Sequence, residues 1–248
     1  MESILFILAV IPVIVICTYI YRKDKNKEPG PLLIKLFILG ILSSFLVLLI
    51  SEILFKIFPF MDKDTSYMTF FEILLFSFVW VSLVEEFCKW LMCYTGAYHN
   101  KAYDELYDGI VYAVFVSLGF AFFENILYVF GSENAISGVM TGIKRGLLSV
   151  PGHACNAVFM GYYLSLAKVY VSKGRKDLEK KSLIKSVLVA TLFHGIYDFC
   201  IFASNTIPLI IFYIFVIILY IISIKKIMIN HSIIISYIKI PLISINSE

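Results

Sequence analysis

Two adjacent glutamates stand inside a long apolar stretch, which is an unusual place for negative charge. The segment 84–90 reads Val-Glu-Glu-Phe-Cys-Lys-Trp, with carboxylates at Glu85 and Glu86 and an ammonium at Lys89. At helical spacing, Lys89 lies on the same face as both acids. A single glutamate–lysine pair would fit a structural ion pair. The second acid indicates chemistry, because ionisable residues inside apolar helices commonly mark functional sites.

Histidines occupy two further apolar segments. His153 stands between a glycine and an alanine, and His194 is followed one helical turn later by Asp198. At this spacing the Asp198 carboxylate can accept a hydrogen bond from the His194 imidazole and fix its tautomer. A lone histidine in an apolar helix is usually a packed core residue. Two histidines together with an acid pair favour a shared site.

A further polar pair, Glu124 and Asn125, lies deep in another apolar segment. Asn125 continues a stripe of small residues at every fourth position, which would let helix backbones approach closely. The stripe comprises Gly109, Ala113, Ser117 and Ala121. The pair therefore either supports a site or forms a hydrogen bond for packing, and both interpretations stay open.

Paired carboxylates and two histidines from separate helices suit hydrolysis within a membrane. A glutamate can take a proton from water, and histidines can either hold a metal that activates the water or donate hydrogen bonds to an oxyanion. The sequence contains no His-Glu-x-x-His, Gly-x-Ser-x-Gly or P-loop pattern. A zincin-like helix, a hydrolase elbow and a nucleotide-binding loop therefore find no support.

A membrane transporter or proton relay is the competing class, because it also uses intramembrane acids and histidines. Transporters usually show broken helices and repeated halves. No repeat is visible in the sequence, although Gly142, Gly146 and Gly152 could break one apolar segment. A purely structural scaffold would leave the polar residues unexplained.

The elements that must position these groups are overwhelmingly apolar. Hydrophobic residues make up 60% of the chain and charged residues 16%, and the mean hydropathy is +0.89. Soluble domains carry about 25% charged residues, and a helix needs roughly 20 apolar residues to cross a bilayer. Runs such as 36–50 do not alternate as barrel strands do. The sequence predicts an all-α, multi-pass helix bundle in the cell membrane, forming one domain over residues 1–248.

We predict seven spans, and the basic residues orient them. The spans cover residues 3–21, 32–58, 68–95, 107–130, 144–171, 183–204 and 207–224. Clusters of Lys and Arg at 22–27, 173–181 and 225–226 fall on one side, which the positive-inside rule assigns to the cytoplasm. The N-terminus is then outside. Because the basic residues serve topology, we expect a lipid environment and no nucleic-acid partner.

Two geometric expectations follow from these spans. Glu85 lies nearer the cytoplasmic end of its span, whereas Glu124 and His153 lie nearer the outside, so a common site requires tilted helices or shifted boundaries. Adjacent helical residues also point about 100° apart. Glu85 and Glu86 are therefore not expected to aim at the same water. If Lys89 faces away from the site, its favoured i,i+4 pairing with Glu85 leaves Glu86 the freer acid, and if Lys89 binds the developing oxyanion the reverse holds. Both geometries stay open, and we favour Glu85 as the base.

The tail and the cysteines carry no catalytic prediction. Residues 226–248 form a short apolar tail, expected at the membrane interface rather than as an eighth span. The cysteines lie in apolar segments without a Cys-x-x-Cys pair, which predicts small buried hydrophobes rather than disulfides or a thiolate metal site. They are Cys17, Cys88, Cys93, Cys155 and Cys200.

Four motifs, taken together, resemble the PrsW family of intramembrane proteases. They are Glu85-Glu86-x-x-Lys89, then Asp108-Gly109-Ile110-Val111-Tyr112 continuing to Phe123-Glu124-Asn125-Ile126-Leu127-Tyr128, then His153-Ala154 with Gly161-Tyr162, and finally His194-Gly195-x-Tyr197-Asp198-Phe199. The resemblance covers residues 15–225, in order and with similar spacing. Each motif alone is weak, whereas the set is specific.

The resemblance implies a distant kinship with CAAX prenyl proteases and a defined role. That role is the first cleavage of a single-pass anti-sigma factor, which starts release of an extracytoplasmic-function sigma factor under envelope stress. Essential residues implied by the family are Glu85, Glu86 and His194, with His153 as the second site histidine. Supporting roles fall to Lys89, Glu124, Asn125 and Asp198.

The resemblance leaves two hypotheses for a cofactor. The family name of metalloprotease implies a metal such as zinc, held by His153 and His194 and completed by Glu85, Glu86 or Glu124. The kinship with CAAX proteases also allows a glutamate mechanism without metal. Both hypotheses stay open at the level of the sequence.

Overall fold

A computed structural model describes the backbone of residues 1–203 and 205–237, and the side chains of these residues except 60 and 229–237. Within this described part the chain forms seven helices and no strand. The helices are α1 (Glu2–Lys23), α2 (Gly30–Ile57), α3 (70–98), α4 (Leu106–Phe130), α5 (135–172), α6 (Lys176–Phe202) and α7 (Thr206–Tyr237). The prediction of an all-α, multi-pass membrane bundle is confirmed.

Helices α3 and α5 each contain wider, π-helical stretches. In α3, α-helical segments Phe70–Leu75 and Val84–Cys93 are each followed by a π-helical one, Phe76–Leu83 and Tyr94–Tyr98. In α5 the π-helical stretch Arg145–Ser149 joins Ala135–Lys144 to Val150–Ser172. The glycines of the fifth predicted span therefore do not break the helix, and the backbone continues through a widened turn.

The predicted number of spans agrees with the seven helices, but two boundaries shift. Five helices, α1, α2, α4, α6 and residues Thr206–Met228 of α7, are long and apolar enough to cross a membrane. Helix α5 begins at Ala135, well before the predicted residue 144. Helix α7 runs past Lys225 and Lys226 to Tyr237. The rest of the predicted tail, 238–248, lies outside the described residues, and its interfacial location stays a prediction.

Helix α4 is the centre of the bundle and packs against α1, α2 and α5. Its predicted small-residue stripe is buried and allows close approach to α5. A Cβ atom built on Gly161 of α5 would strike the backbone carbonyl of Gly109. Two steps of the stripe further on, Ser117 donates a hydrogen bond of 3.0 Å to the backbone carbonyl of His153. The stripe therefore fixes the position of His153 along the axis of α4.

The basic clusters gather at one end of the bundle. Asn26 of the α1–α2 loop donates to Glu105 at the start of α4, and Tyr98 at the end of α3 donates to Glu179 at the start of α6, at 3.2 Å. These bonds place the α1–α2, α3–α4 and α5–α6 connections side by side. The assignment of this end to the cytoplasm stays a prediction.

Candidate active site

Four side chains from three helices meet in the interior of the bundle. Glu85 and Glu86 come from α3, His153 from α5 and His194 from α6, and all four are buried. One nitrogen or oxygen atom from each lies within 4.8 Å of the others. The apparent difference in depth disappears mainly because α5 begins earlier than predicted, which puts His153 half-way along its helix.

The ammonium of Lys89 lies at the centre of this group. Lys89 Nζ is 3.0 Å from Glu85 Oε2, 2.9 Å from Glu86 Oε1 and 3.2 Å from His153 Nδ1. The ring of Phe120 lies 4.0 Å from the same nitrogen. The contact of both glutamates with Lys89 is the one that their helical spacing predicts. That the two do not aim at the same water stays a prediction. Although they leave the helix in different directions, both carboxylates bend to the same cation.

His194 is flanked by carboxylates on both ring nitrogens. Its Nδ1 lies 2.9 Å from Glu86 Oε1, while its Nε2 lies 3.3 Å from Asp198 Oδ2 and 3.9 Å from Glu85 Oε2. Asp198 therefore lies where the helical spacing placed it. A protonated imidazole would donate from Nδ1 to Glu86, while Asp198 places negative charge beside Nε2 without a hydrogen bond at Oδ2. His194 thus links α6 to both acids of α3.

His153 takes a different environment, between a cation and an acid. Lys89 lies beside its Nδ1, and Glu124 Oε2 lies 2.9 Å from its Nε2. An ammonium can only donate, so Nδ1 must accept from Lys89 and Nε2–H must donate to Glu124. The His153 and His194 rings meet nearly edge to face, with centroids 5.4 Å apart. Of the two interpretations of Glu124, the contact with His153 favours support of the site.

Arg145 completes the network and was not singled out from the sequence. Its Nη2 donates to Glu124 Oε2 at 2.6 Å, and its Nε donates to Asn125 Oδ1 at 2.7 Å. Its guanidinium carbon also lies 4.3 Å from the ring centroid of Tyr128. The sequence places Arg145 next to Lys144 at the predicted end of a span, where it resembles an ordinary interfacial charge. The sequence signal for its role is that Arg145 lies on the helix that follows the one carrying Glu124.

Asn125 ties the same corner to the first helix. Its amide nitrogen donates to the backbone carbonyl of Ala9 in α1 at 3.1 Å, while its oxygen accepts from Arg145. It is fully buried, as the small-residue stripe predicted. Asn125 therefore serves both interpretations, because it packs α4 on α1 and orients Arg145.

Local backbone geometry brings the two motif-bearing helices into position. A π-helical stretch ends directly before Val84-Glu85 in α3, and another ends directly before Val150 in α5. Such widened turns rotate the residues that follow and occur often at functional sites. In α6, Gly195 leaves room for the ring of Phe78, because a Cβ there would collide with it. Residue His194 can therefore approach α3 closely.

The four clustered residues fit a metal ion by their chemistry. Two imidazole nitrogens and two carboxylate oxygens form a ligand set that zinc accepts in proteins. Glu86 Oε2 is buried and makes no hydrogen bond among the described residues. Glu124 does not belong to the group, since it binds the opposite nitrogen of His153. The residues that could hold a metal are therefore Glu85, Glu86, His153 and His194.

The cysteines take no part in this cluster. Cys88, Cys93, Cys155 and Cys200 are buried, Cys17 is partly buried, and all five are free thiols. None belongs to the group of side chains that could hold a metal among the described residues. The prediction of small apolar residues agrees with these positions.

A second polar cluster lies at the basic end of the bundle, and its acids form no ion pair among the described residues. Tyr112 donates to Glu28, and the backbone nitrogens of Asp104 and Glu105 donate to Asp108 at 2.9 and 2.6 Å. Burial raises the pKa of Asp24 to about 6 and that of Glu28 to about 7. The nearby Lys27 amine donates to the backbone carbonyls of residues 21, 22 and 24. We call these acids, Asp24, Glu28 and Asp108, the acid cluster.

A polytopic bundle with glutamates and histidines gathered in its apolar interior defines a membrane-embedded enzyme site. The sequence profile described as PrsW family intramembrane metalloprotease matches residues 28–224, a range that contains all four clustered residues. The chain belongs to this family, and its class is that of an intramembrane protease. The expected membrane location, family and enzyme class are thereby confirmed.

Curated relatives agree over most of their length. The chain is 36% identical to Protease PrsW of Clostridioides difficile (strain 630) over 231 residues, covering 92% of this chain and 92% of that protein. It is 36% identical to Protease PrsW of Bacillus subtilis (strain 168) over 195 residues, covering 78% and 81%. For Protease PrsW of Oceanobacillus iheyensis the identity is 36% over 200 residues, covering 81% and 84%. No solved structure matches the chain.

Proposed function

We propose that this protease hydrolyses a peptide bond of a single-pass membrane protein at the site formed by Glu85, Glu86, His153 and His194. The observation that carries the proposal is their convergence, with one ligand or donor atom from each inside 4.8 Å. The glutamate pair, His153 and His194 lie far apart in the sequence and come from three different helices. Burying so many ionisable groups is costly unless they act together.

Glu85 is the better candidate for the general base. Its side chain keeps 9% of its surface exposed, whereas that of Glu86 is fully buried. Glu86 Oε1 also faces both Lys89 and His194, which leaves it less free to meet a water. Glu86 therefore orients Lys89 and His194, and Glu85 takes the proton from the attacking water.

His194 acts on the carbonyl oxygen of the peptide bond, and His153 helps to hold the group in place. As the water oxygen bonds to the carbonyl carbon, negative charge develops on the carbonyl oxygen, where a donor from His194 stabilises it. The proton held by Glu85 then passes to the amide nitrogen as the carbon–nitrogen bond breaks. His153 is held in one tautomer by Glu124 and keeps its Nδ1 lone pair directed at the centre of the group.

A metal bound by the four residues would lower the pKa of a bound water and polarise the carbonyl. Without a metal, the base and the hydrogen-bond donor come from the chain alone, and the roles given above to Glu85 and His194 belong to this form. With a metal, both residues would instead serve as ligands.

The substrate that fits the family resemblance is a single-pass anti-sigma factor, cut first at its membrane-proximal site. Such a cut would begin release of an extracytoplasmic-function sigma factor under envelope stress. The resemblance in the four motifs supports this substrate. A bilayer-embedded site also suits a substrate that crosses the membrane only once.

The test combines purified protein with a purified single-pass anti-sigma factor in detergent, without an ion gradient. We expect a single cleavage, located by mass spectrometry of the fragments. A transporter using the same acids and histidines would instead need a closed vesicle and a gradient. Absence of cleavage, together with proton-coupled uptake in proteoliposomes, would contradict the proposal.

A further inference from the structure

The ammonium of Lys89 has the surroundings of a bound cation rather than those of an ordinary ion pair. Its three contacts, to Glu85 Oε2, Glu86 Oε1 and His153 Nδ1, span only 2.9–3.2 Å. An ammonium has three hydrogens, so these contacts use its entire donor capacity. Lys89 is fully buried, and the face of Phe120 covers it.

The same three residues belong to the group that could hold a metal. A zinc ion would bind at about 2.0–2.2 Å from such nitrogens and oxygens. Lys89 Nζ lies within 3.2 Å of one such atom on each of the three residues. An ammonium has no lone pair, so it cannot join the metal as a ligand. Its positive charge also opposes a second cation at that distance.

We infer that Lys89 occupies the cation position of this site, so that a divalent metal binds there only by displacing the lysine side chain. The inference rests on the proposed function insofar as it concerns the same four residues. It assigns Lys89 a positioning role. In the absence of metal, the lysine neutralises the paired acids and holds His153 Nδ1 toward the centre.

With Lys89 in the cation position, both acids of the pair can be buried without a metal. Two carboxylates side by side in an apolar interior repel each other and lose their hydration. Lys89 supplies the opposite charge from within the same helix, at helical spacings that favour both contacts. The chain thus carries its own cation for a group of ligands that would otherwise require one.

The test measures zinc affinity of the full-length protein in detergent, after treatment with a chelator, by competition with a chromogenic zinc indicator. Lys89→Met removes the charge and keeps the length of the side chain. We expect it to bind zinc about 10- to 1,000-fold more tightly than the unsubstituted protein, since adjacent charges perturb each other by one to three logarithmic units.

Two controls locate the effect. Lys168→Met removes another partly buried lysine, which donates to the backbone carbonyl of Tyr98 at 2.6 Å, and it should leave zinc affinity unchanged. Adding His194→Ala to Lys89→Met should remove most of the gain, because it deletes a ligand of the same site. An equal or weaker affinity of Lys89→Met compared with the unsubstituted protein would overturn the inference.

Loss of the buried cation could unfold Lys89→Met, so a second pair of variants keeps the charge more balanced. Glu85→Gln removes one acid, and Glu85→Gln with Lys89→Met removes one acid and the lysine. The double variant should bind zinc more tightly than Glu85→Gln alone, and the reverse order would refute the displacement. Zinc binding is measured without substrate, so a protein that fails to cut an anti-sigma factor can still pass or fail this test.

Discussion

The two buried polar clusters of this protein differ in their charge balance. In the group around Glu85, Glu86, His153, His194 and Glu124, which we call the matched cluster, each glutamate faces a cation or a histidine. Lys89 and Arg145 supply the positive charge from α3 and α5. In the acid cluster, Glu28 faces the hydroxyl of Tyr112, and Asp108 faces backbone nitrogens. Both sets are buried or largely buried, and Glu85, Glu86 and Asp108 lie in the motifs that resemble the family.

The difference shows how the same kind of residue serves two purposes. Where cations and acids are matched, the opposite charges offset part of the cost of burying each carboxylate. Where acids face hydroxyls and backbone nitrogens, burial favours the protonated form, as the raised pKa values of Asp24 and Glu28 indicate. We therefore expect the matched cluster to carry the reaction and the acid cluster to hold the connections between helices.

Single substitutions of the two glutamates should give the largest effects and rank their roles. Loss of a general base costs about 10²–10⁴-fold in rate, which we expect for Glu85→Gln. Glu86→Gln should also be strongly impaired, because it frees Lys89 and His194, but it should retain more activity. Single-turnover cleavage rates provide the comparison. A mild defect in Glu85→Gln beside near-complete loss in Glu86→Gln would transfer the role of base to Glu86.

Substitution of Arg145 tests whether catalysis depends on residues beyond those that could hold a metal. Arg145→Met should lower kcat by about 10- to 100-fold, the usual cost of losing an outer partner of a site residue. KM should change little, since Arg145 acts on His153 through Glu124. Arg145→Lys should restore part of the rate, because it can reach Glu124 but not Asn125 as well.

The exposed residue Arg175 provides the matched control, as Arg175→Met breaks only an ion pair with Asp177 at the surface. Arg175→Met should leave kcat and KM unchanged. If Arg145→Met raised KM and left kcat intact, Arg145 would belong to substrate binding instead.

The acid cluster should make stability depend on pH. The pKa of Glu28 rises from 4.5 to about 7, and that of Asp24 from 3.8 to about 6. The folded protein therefore holds protons that the unfolded chain releases. The stability that these protons contribute is complete below pH 4 and is lost as pH rises through 7. The apparent Tm in detergent should fall between pH 5 and 8, by about 2–4 °C for each kcal/mol lost.

Asp24→Asn combined with Glu28→Gln should flatten this slope, because neither amide titrates. Asp177→Asn changes an exposed acid in a surface ion pair and should keep the fall. A slope unaltered by the double substitution would show that the acid cluster does not govern the pH response.

The smallest effects are expected from the cysteines. Cys88 adjoins the paired acids in sequence and Cys155 lies close to His153, but neither belongs to the clustered group among the described residues. Cys88→Ala and Cys155→Ala should each change the cleavage rate less than about threefold, within the ±0.5 kcal/mol typical of neutral substitutions. Abolished cleavage in a folded variant would point to a thiol nucleophile.

Much of the fold could be predicted because a bilayer restricts what a sequence can do. Apolar blocks of sufficient length must form helices, since every backbone polar group has to find its partner within the segment. The small-residue stripe on α4 likewise identified a close helix contact, now seen at Gly109 and Gly161. The polar residues pointed to a shared site because lipid makes them costly.

Several features could not be read from the sequence, for physical reasons. Helix α5 begins at Ala135 after a capping box at Asn134, although charged and glycine residues near 144 suggested a later start. The π-helical stretches depend on tertiary packing and leave no periodic signal. The role of Arg145 needed the structure, because its partners Glu124 and Asn125 lie on another helix.

The most direct measurement compares two double variants of the purified protein on the same single-pass substrate in detergent. Glu85→Gln with Glu86→Gln removes the acids of the matched cluster, and Asp24→Asn with Glu28→Gln removes those of the acid cluster. We predict that the first pair abolishes cleavage, by at least about 10³-fold, while the second retains it within a few-fold at pH 6. Cleavage that survives the first substitution pair would contradict the assignment of hydrolysis to this site.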